Sequence, residues 1–263
     1  MSEFESVDLG VSVENHVGVV EIQRPPHNFF DVSLIQQIAD AYEFLDSMVD
    51  CRAVVLCAEG KNFCAGANFG ASDAGNAKDS SEGDLSNELY RAAVRIFRSN
   101  KPTVAAVQGA AIGGGLGLAM SSDFRVTCKE GRFSANFTKL GFHPGFGLTA
   151  VLPEIIGIQK TRLLCLTSRR LKGDEATDWG LADMCVPIEQ VRSAAVALAE
   201  ELAGCAPLAV VSTRRTLRKG LADRVEEQTE LELREQNSLR QTDDWLEGVK
   251  AASERREPVF KGA

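Results

Sequence analysis

Two short segments rich in small residues could do chemistry with their main chain alone. Residues 60–68 read GKNFCAGAN and residues 109–117 read GAAIGGGLG. Small side chains let a ligand approach backbone N–H groups closely. The second segment runs into a helical pattern, whose N-terminal amides carry partial positive charge. One amide from each segment, aimed at one point, makes an oxyanion hole; losing one such donor typically costs ~10²–10³ in rate. Tight helix–sheet packing explains the second segment alone equally well. Dinucleotide binding is the sharper rival, but a G-x-G-x-x-G starting at Gly113 needs glycine at 118, where the chain has Leu118.

The elements that must position these segments are legible in outline. Residues 7–13 alternate, Asn15-His16 turns, and residues 17–22 are apolar, which predicts a hairpin. Asp31 suits an N-cap, and Leu34, Ile38, Tyr42, Leu45 and Met48 mark one face of the helix it opens. Residues 53–57, 102–107 and 124–127 read as short strands, and Leu85, Leu89, Ala92 and Ile96 stripe a helix. Residues 70–84 are small and polar, as in a lid-like loop. From about residue 147 the pattern is helical. Helices between buried strands imply right-handed crossovers and a largely parallel sheet. A core over residues 1–200 and a helical region over 201–263 are expected, the latter a cap or an oligomerisation arm.

Composition narrows the partners. The 263 residues are 44% hydrophobic and carry a net charge of −8, which disfavours nucleic acid and anionic membrane. Seven scattered cysteines without a CxxC pair, and only three histidines, argue against a zinc site or a disulfide framework. No apolar leader and no run of membrane-spanning length is visible, so a soluble cytoplasmic protein is expected.

Taken together, the segments resemble the crotonase superfamily of enoyl-CoA hydratases and isomerases. The resemblance runs over nearly the whole chain. It rests on Arg24-Pro25, FCAGA at 63–67, KPTVAAVQGAAIGGG at 101–115, SDFR at 122–125, TSRRLK at 167–172, GLAD at 180–183 and REPVFKG at 256–262. It implies an α/β fold, the ββα spiral, with a C-terminal helical region that builds trimers or dimers of trimers. It implies an acyl-CoA thioester ligand, no cofactor beyond that coenzyme A, and no metal. By the same likeness the oxyanion amides fall on Ala67 and Gly114. The nucleotide and pantetheine arm runs past Asn28, Ala65, Gly66 and Asn68, and Phe260 and Lys261 reach a neighbouring subunit's nucleotide.

The sequence departs from the family where the acids belong. One glutamate of the hydratases matches Gly117, the other matches Phe137, and a third acid position used by some relatives matches Gly145. Hydration needs a water deprotonated by one group while another protonates the α-carbon. An enolate cradle without that pair predicts isomerisation, decarboxylation, C–C cleavage or hydrolysis rather than efficient hydration. The opposing class is a non-catalytic acyl-CoA binder. His143 is the first candidate proton carrier, although it could equally hydrogen-bond a loop carbonyl. Glu88 is the second, against a solvated ion pair with Arg91. Asp73 and Asp84 could arrive with the lid, Cys64 reads as a packed thiol, and Asn68 stands where many relatives have Asp.

Overall fold

The computed structural model describes residues 4–67 and 81–263, and of residues 81–86 the backbone alone. Asn68, Asp73 and most of the expected lid therefore lie outside the described residues, as does the Asp84 side chain. The chain opens with β1 (Leu9–Glu14), β2 (Val17–Ile22), α1 (Val32–Ser47) and β3 (Ala53–Ala58). Then come α2 (Ser81–Phe97), β4 (Thr103–Val107), β5 (Ala110–Ile112), α3 (Gly114–Ser121), β6 (Phe124–Thr127) and β7 (Arg132–Ser134). A 3₁₀ turn over Asn136–Leu140 leads to α4 (Leu148–Thr167), β8 (Leu171–Lys172), α5 (Gly173–Trp179) and β9 (Met184–Cys185). The chain ends in α6 (Val191–Ala203), α7 (Pro207–Leu217), α8 (Leu221–Leu239) and α9 (Asp243–Glu254).

The main sheet has the order β1-β2-β3-β4-β6-β9, parallel except for the β1–β2 hairpin. The hairpin turns through Asn15 and His16, both at positive φ (50° and 67°), as a two-residue turn between right-twisted strands requires. Asp31 accepts a 2.8 Å hydrogen bond from the Leu34 amide and starts α1 as expected. Leu34, Ile35, Ile38 and Leu45 of that helix are fully buried, at about 1.5–3 kcal/mol of transfer free energy each.

β3 and β4 read as unbroken apolar runs because both of their faces are covered. Val54, Leu56, Ala105 and Val107 face the large core under α1 to α4, whereas Ala53, Val55, Cys57, Val104 and Ala106 pack against α6. A second, small sheet of order β5-β7-β8 was not expected. Its strands are two or three residues long, too short to show a period.

Several residues of the family-like series hold this frame. Asp123 is half-buried between Arg214 and Arg218 of the α7 region, at 2.7 and 2.8 Å, and accepts from the Thr103 amide at 2.8 Å. Burial pushes its carboxyl up, but the two guanidinium groups outweigh that and hold it below the usual range. Arg125 pairs with Asp183 at 3.1 Å, tying β6 to the turn before β9. The last helices return over the core: α8 packs on α2 and α4, and α9 on the 3₁₀ turn. No single helix among the described residues is long and apolar enough to cross a membrane.

Candidate active site

The two glycine-containing segments meet edge to edge. Cys64 donates its amide to the Ala110 carbonyl at 2.8 Å and accepts from the Ile112 amide at 3.1 Å. Gly115 is required by this contact, because a Cβ there would stand 2.2 Å from the Cys64 carbonyl oxygen. Gly66 takes φ +94°, a left-handed conformation that a side chain would strain. Beyond it, Phe30 donates to the Gly66 carbonyl at 3.1 Å and pairs with Ala67. The first segment is thereby clamped between Phe30 and β5.

This clamp leaves backbone donors unused, those of Ala67 and Gly114 among them. Neither the Ala67 nor the Gly114 amide has an acceptor among the described residues. Gly114 is the first residue of α3, where an N–H has no intrahelical partner and the helix dipole favours negative charge. Both residues line one cavity of about 180 Å³. Their amides are therefore available to a carbonyl oxygen entering that cavity.

The cavity walls are largely aromatic: Phe30, Tyr90, Phe137, Phe142 and Phe146. Phe30 and Phe146 meet edge to face at 5.9 Å, Phe137 and Phe142 at 5.3 Å. Its polar side chains are Tyr90, Asn136, Gln236 and Arg240, the last two contributed by α8 and its C-terminus. No carboxylate, imidazole or lysine lines it among the described residues. Cys64, behind the first segment, is fully buried, and burial pushes its thiol up to about 12, so it is a packed thiol.

The positions of the three absent acids are filled. A Cβ at Gly117 would stand 2.6 Å from the Phe146 Cβ, so the Phe146 side chain occupies that place. Phe137 is itself a wall of the cavity. A Cβ at Gly145 would stand 2.2 Å from the Tyr90 hydroxyl and 2.6 Å from Gln236 Nε2.

Other expectations need correction. Asn28 is fully buried, so it cannot touch a ligand. Its amide donates to the Glu59 and Asn62 carbonyls at 2.8 and 2.7 Å and accepts from the Arg24 amide at 3.0 Å, so it fixes the start of the first segment. His143 does not line the cavity; its Nδ1 lies 2.7 Å from the Pro144 carbonyl oxygen, the loop-shaping alternative. Glu88 is exposed on α2, is not among the residues that line the cavity and makes no ion pair with Arg91. The expected reach of Phe260 and Lys261 to a neighbouring subunit is a matter of assembly; within the chain the Lys261 and Gly262 amides donate to the Asp244 carboxylate at 2.7 and 2.8 Å. Phe260 lies in a groove with Thr138, Gly141 and Leu239, outside the cavity.

Sequence reasoning missed Tyr90, Gln236 and Glu232. Tyr90 donates to Gln236 Oε1 at 2.9 Å across 146 positions of sequence, and Gln236 Nε2 donates to the His143 carbonyl at 2.9 Å. One turn earlier on α8, Glu232 accepts from the Gly147 and Thr149 amides at 2.8 and 3.1 Å, fixing the loop that carries Phe146. Burial pushes its carboxyl up to about 7, against the pull of those donors. The 3.6-residue period put Glu232 and Gln236 on one face, but nothing in the sequence gave that face its partner.

The fold and this site can be set beside known proteins. A family model described as enoyl-CoA hydratase/isomerase matches residues 12–263. The "Probable enoyl-CoA hydratase" of Bacillus subtilis is 30% identical over 97% of this chain and 98% of that protein. The carnitinyl-CoA dehydratase of Salmonella enteritidis is 30% identical over 92% and 94% of the two chains. An enoyl-CoA hydratase/isomerase from Pseudoalteromonas atlantica superposes with a TM-score of 0.85 at 29% identity, covering 97% of this chain and all of that one. The chain belongs to the enoyl-CoA hydratase/isomerase family of the crotonase superfamily, whose members are enzymes acting on acyl-CoA thioesters.

Proposed function

We infer that this protein binds an acyl-CoA thioester with its carbonyl oxygen between the Ala67 and Gly114 amides and stabilises the derived enolate. The observation that carries this reading is the pair of unused amides in the lining of one apolar cavity. The reaction is an isomerisation, decarboxylation, C–C cleavage or hydrolysis rather than efficient hydration. The names of the relatives point to hydration and dehydration, but Gly117, Phe137 and Gly145 hold no acid or base, and their space is filled. Decarboxylation of a 2-carboxyacyl thioester is the member of this set that needs no base, since loss of CO₂ leaves the electron pair in the enolate. Coenzyme A arrives as part of the substrate and no further cofactor is needed. A cytoplasmic homotrimer or dimer of trimers completes the reading; apolar Ile158 and Leu166 on α4 and Leu208 and Leu217 on α7 stand exposed on the single chain.

The absence of a carboxylate or imidazole from the described cavity lining favours a second reading, an acyl-CoA binder without turnover. Turnover in D₂O separates the two. Incubated with a panel of acyl thioesters that includes a 2-carboxyacyl member, the enzyme is expected to place deuterium at an α-carbon, by exchange or by CO₂ loss. Return of every thioester unlabelled from a preparation that binds them would establish the binder instead.

A further inference from the structure

We propose that Tyr90 and Gln236 form a recognition site for a hydroxyl group on a compact, ring-sized acyl group, and so set which thioester this cavity accepts. The proposal rests on the reading above and adds the substrate class to it. Both side chains are more than nine-tenths buried, at 7% and 2% exposure, and both line the cavity. They sit against Gly145, whose missing Cβ makes room for the hydroxyl and the amide together.

Their hydrogen bonds are only partly used. The Tyr90 hydroxyl donates its one hydrogen to Gln236 Oε1. The phenol oxygen can also accept a hydrogen bond, and none of the described residues donates one to it with hydrogen-bond geometry. Gln236 Nε2 gives one hydrogen to the His143 carbonyl and retains the other. The buried pair thus presents one acceptor and one donor side by side, which is the complement of an alcohol or phenol O–H. Burial and the nearby Glu232 carboxylate keep the Tyr90 phenol un-ionised, so it meets a neutral partner.

Size and wall chemistry fix the rest of the group. A dry cavity of about 150 Å³ holds a benzene ring, so 180 Å³ suits a ring-sized acyl group. Phe30 packs over Gly114 and meets Phe146, which adjoins Gly145. A ring held against Phe30 and Phe146 shares one cavity with the Gly114 amide and the Tyr90 hydroxyl. Aromatic rings favour such edge and offset contacts.

The test uses calorimetric binding of matched ligands: butyryl-CoA, phenylacetyl-CoA and 4-hydroxyphenylacetyl-CoA. The hydroxylated ligand is expected to bind the wild-type protein about tenfold tighter than phenylacetyl-CoA, the size of one neutral hydrogen bond in a buried site. Tyr90→Phe should reduce that preference to within about threefold. Equal affinity of the two aromatic ligands for the wild-type protein overturns the proposal without recourse to any variant. Binding of butyryl-CoA with rejection of both aromatic ligands overturns it alone. Failure of all three to bind overturns the acyl-CoA reading as well.

Discussion

Hydration of crotonyl-CoA is expected to run below about 0.01 s⁻¹ at saturating substrate, at least a thousandfold under the median enzyme turnover of ~10 s⁻¹. Positioned acid–base groups contribute roughly 10²–10⁴ each, and less than the product when they act on one water. Neither group is present here. Gly117 has no side chain and its space is taken by Phe146, while Phe137 presents a ring where a second carboxylate would stand. The Ala67 and Gly114 amides proposed for the oxyanion remain, so binding should persist even though water has no base to activate it. Loss of the conjugated thioester's ultraviolet absorbance measures the rate directly. A turnover near ~10 s⁻¹ would mean that a group outside the described lining activates the water. Replacing Gly117 by Glu is not expected to restore the activity, because its Cβ alone would collide with Phe146.

The second large effect concerns Gly114. A simple substitution confounds two changes, since any Cβ at this position would lie 2.3 Å from the Phe30 ring. Phe30→Leu relieves that collision, and two double variants then differ in the donor. Gly114→Ala/Phe30→Leu keeps the N–H; Gly114→Pro/Phe30→Leu removes it. Proline is well placed at the first residue of a helix, and Gly113, at φ 57° and ψ −122°, has the mirror image of the extended conformation that precedes proline comfortably. Relative to the alanine variant, the proline variant is expected to lose ~10²–10³ in the rate of deuterium incorporation at the α-carbon. Affinity for free coenzyme A should be unchanged. Equal rates in the two variants would remove Gly114 from the oxyanion hole.

Local signals in the sequence were sufficient for the frame and for the two loops. Asp31 capped its helix, Asn15 and His16 turned the hairpin, and the segments around Ala67 and Gly114 came together over one cavity. The small sheet escaped because its strands are shorter than one period of any pattern. Asn28 and His143 were misplaced for a shared reason. A polar residue in a loop looks alike whether it serves a ligand or its own backbone, and these two serve carbonyl groups nearby. Filling of the acid positions was invisible because it depends on distant contacts. Phe146 folds onto Gly117, and Tyr90 and Gln236 close on Gly145 from two helices 146 residues apart.

The central claim, that the Ala67 and Gly114 amides stabilise a thioester enolate, is tested most directly by the ionisation of a bound β-ketoacyl-CoA. Such a thioester forms its own enolate without help from an enzymic base, and the enolate absorbs in the ultraviolet. Titrating that absorbance with and without excess protein compares the bound and free acids. The account predicts that the α-proton of the bound ligand comes off at least about one pH unit lower, each unit being 1.36 kcal/mol of preference for the enolate. A ligand that binds and ionises at the same pH as in free solution, or at a higher one, would contradict it.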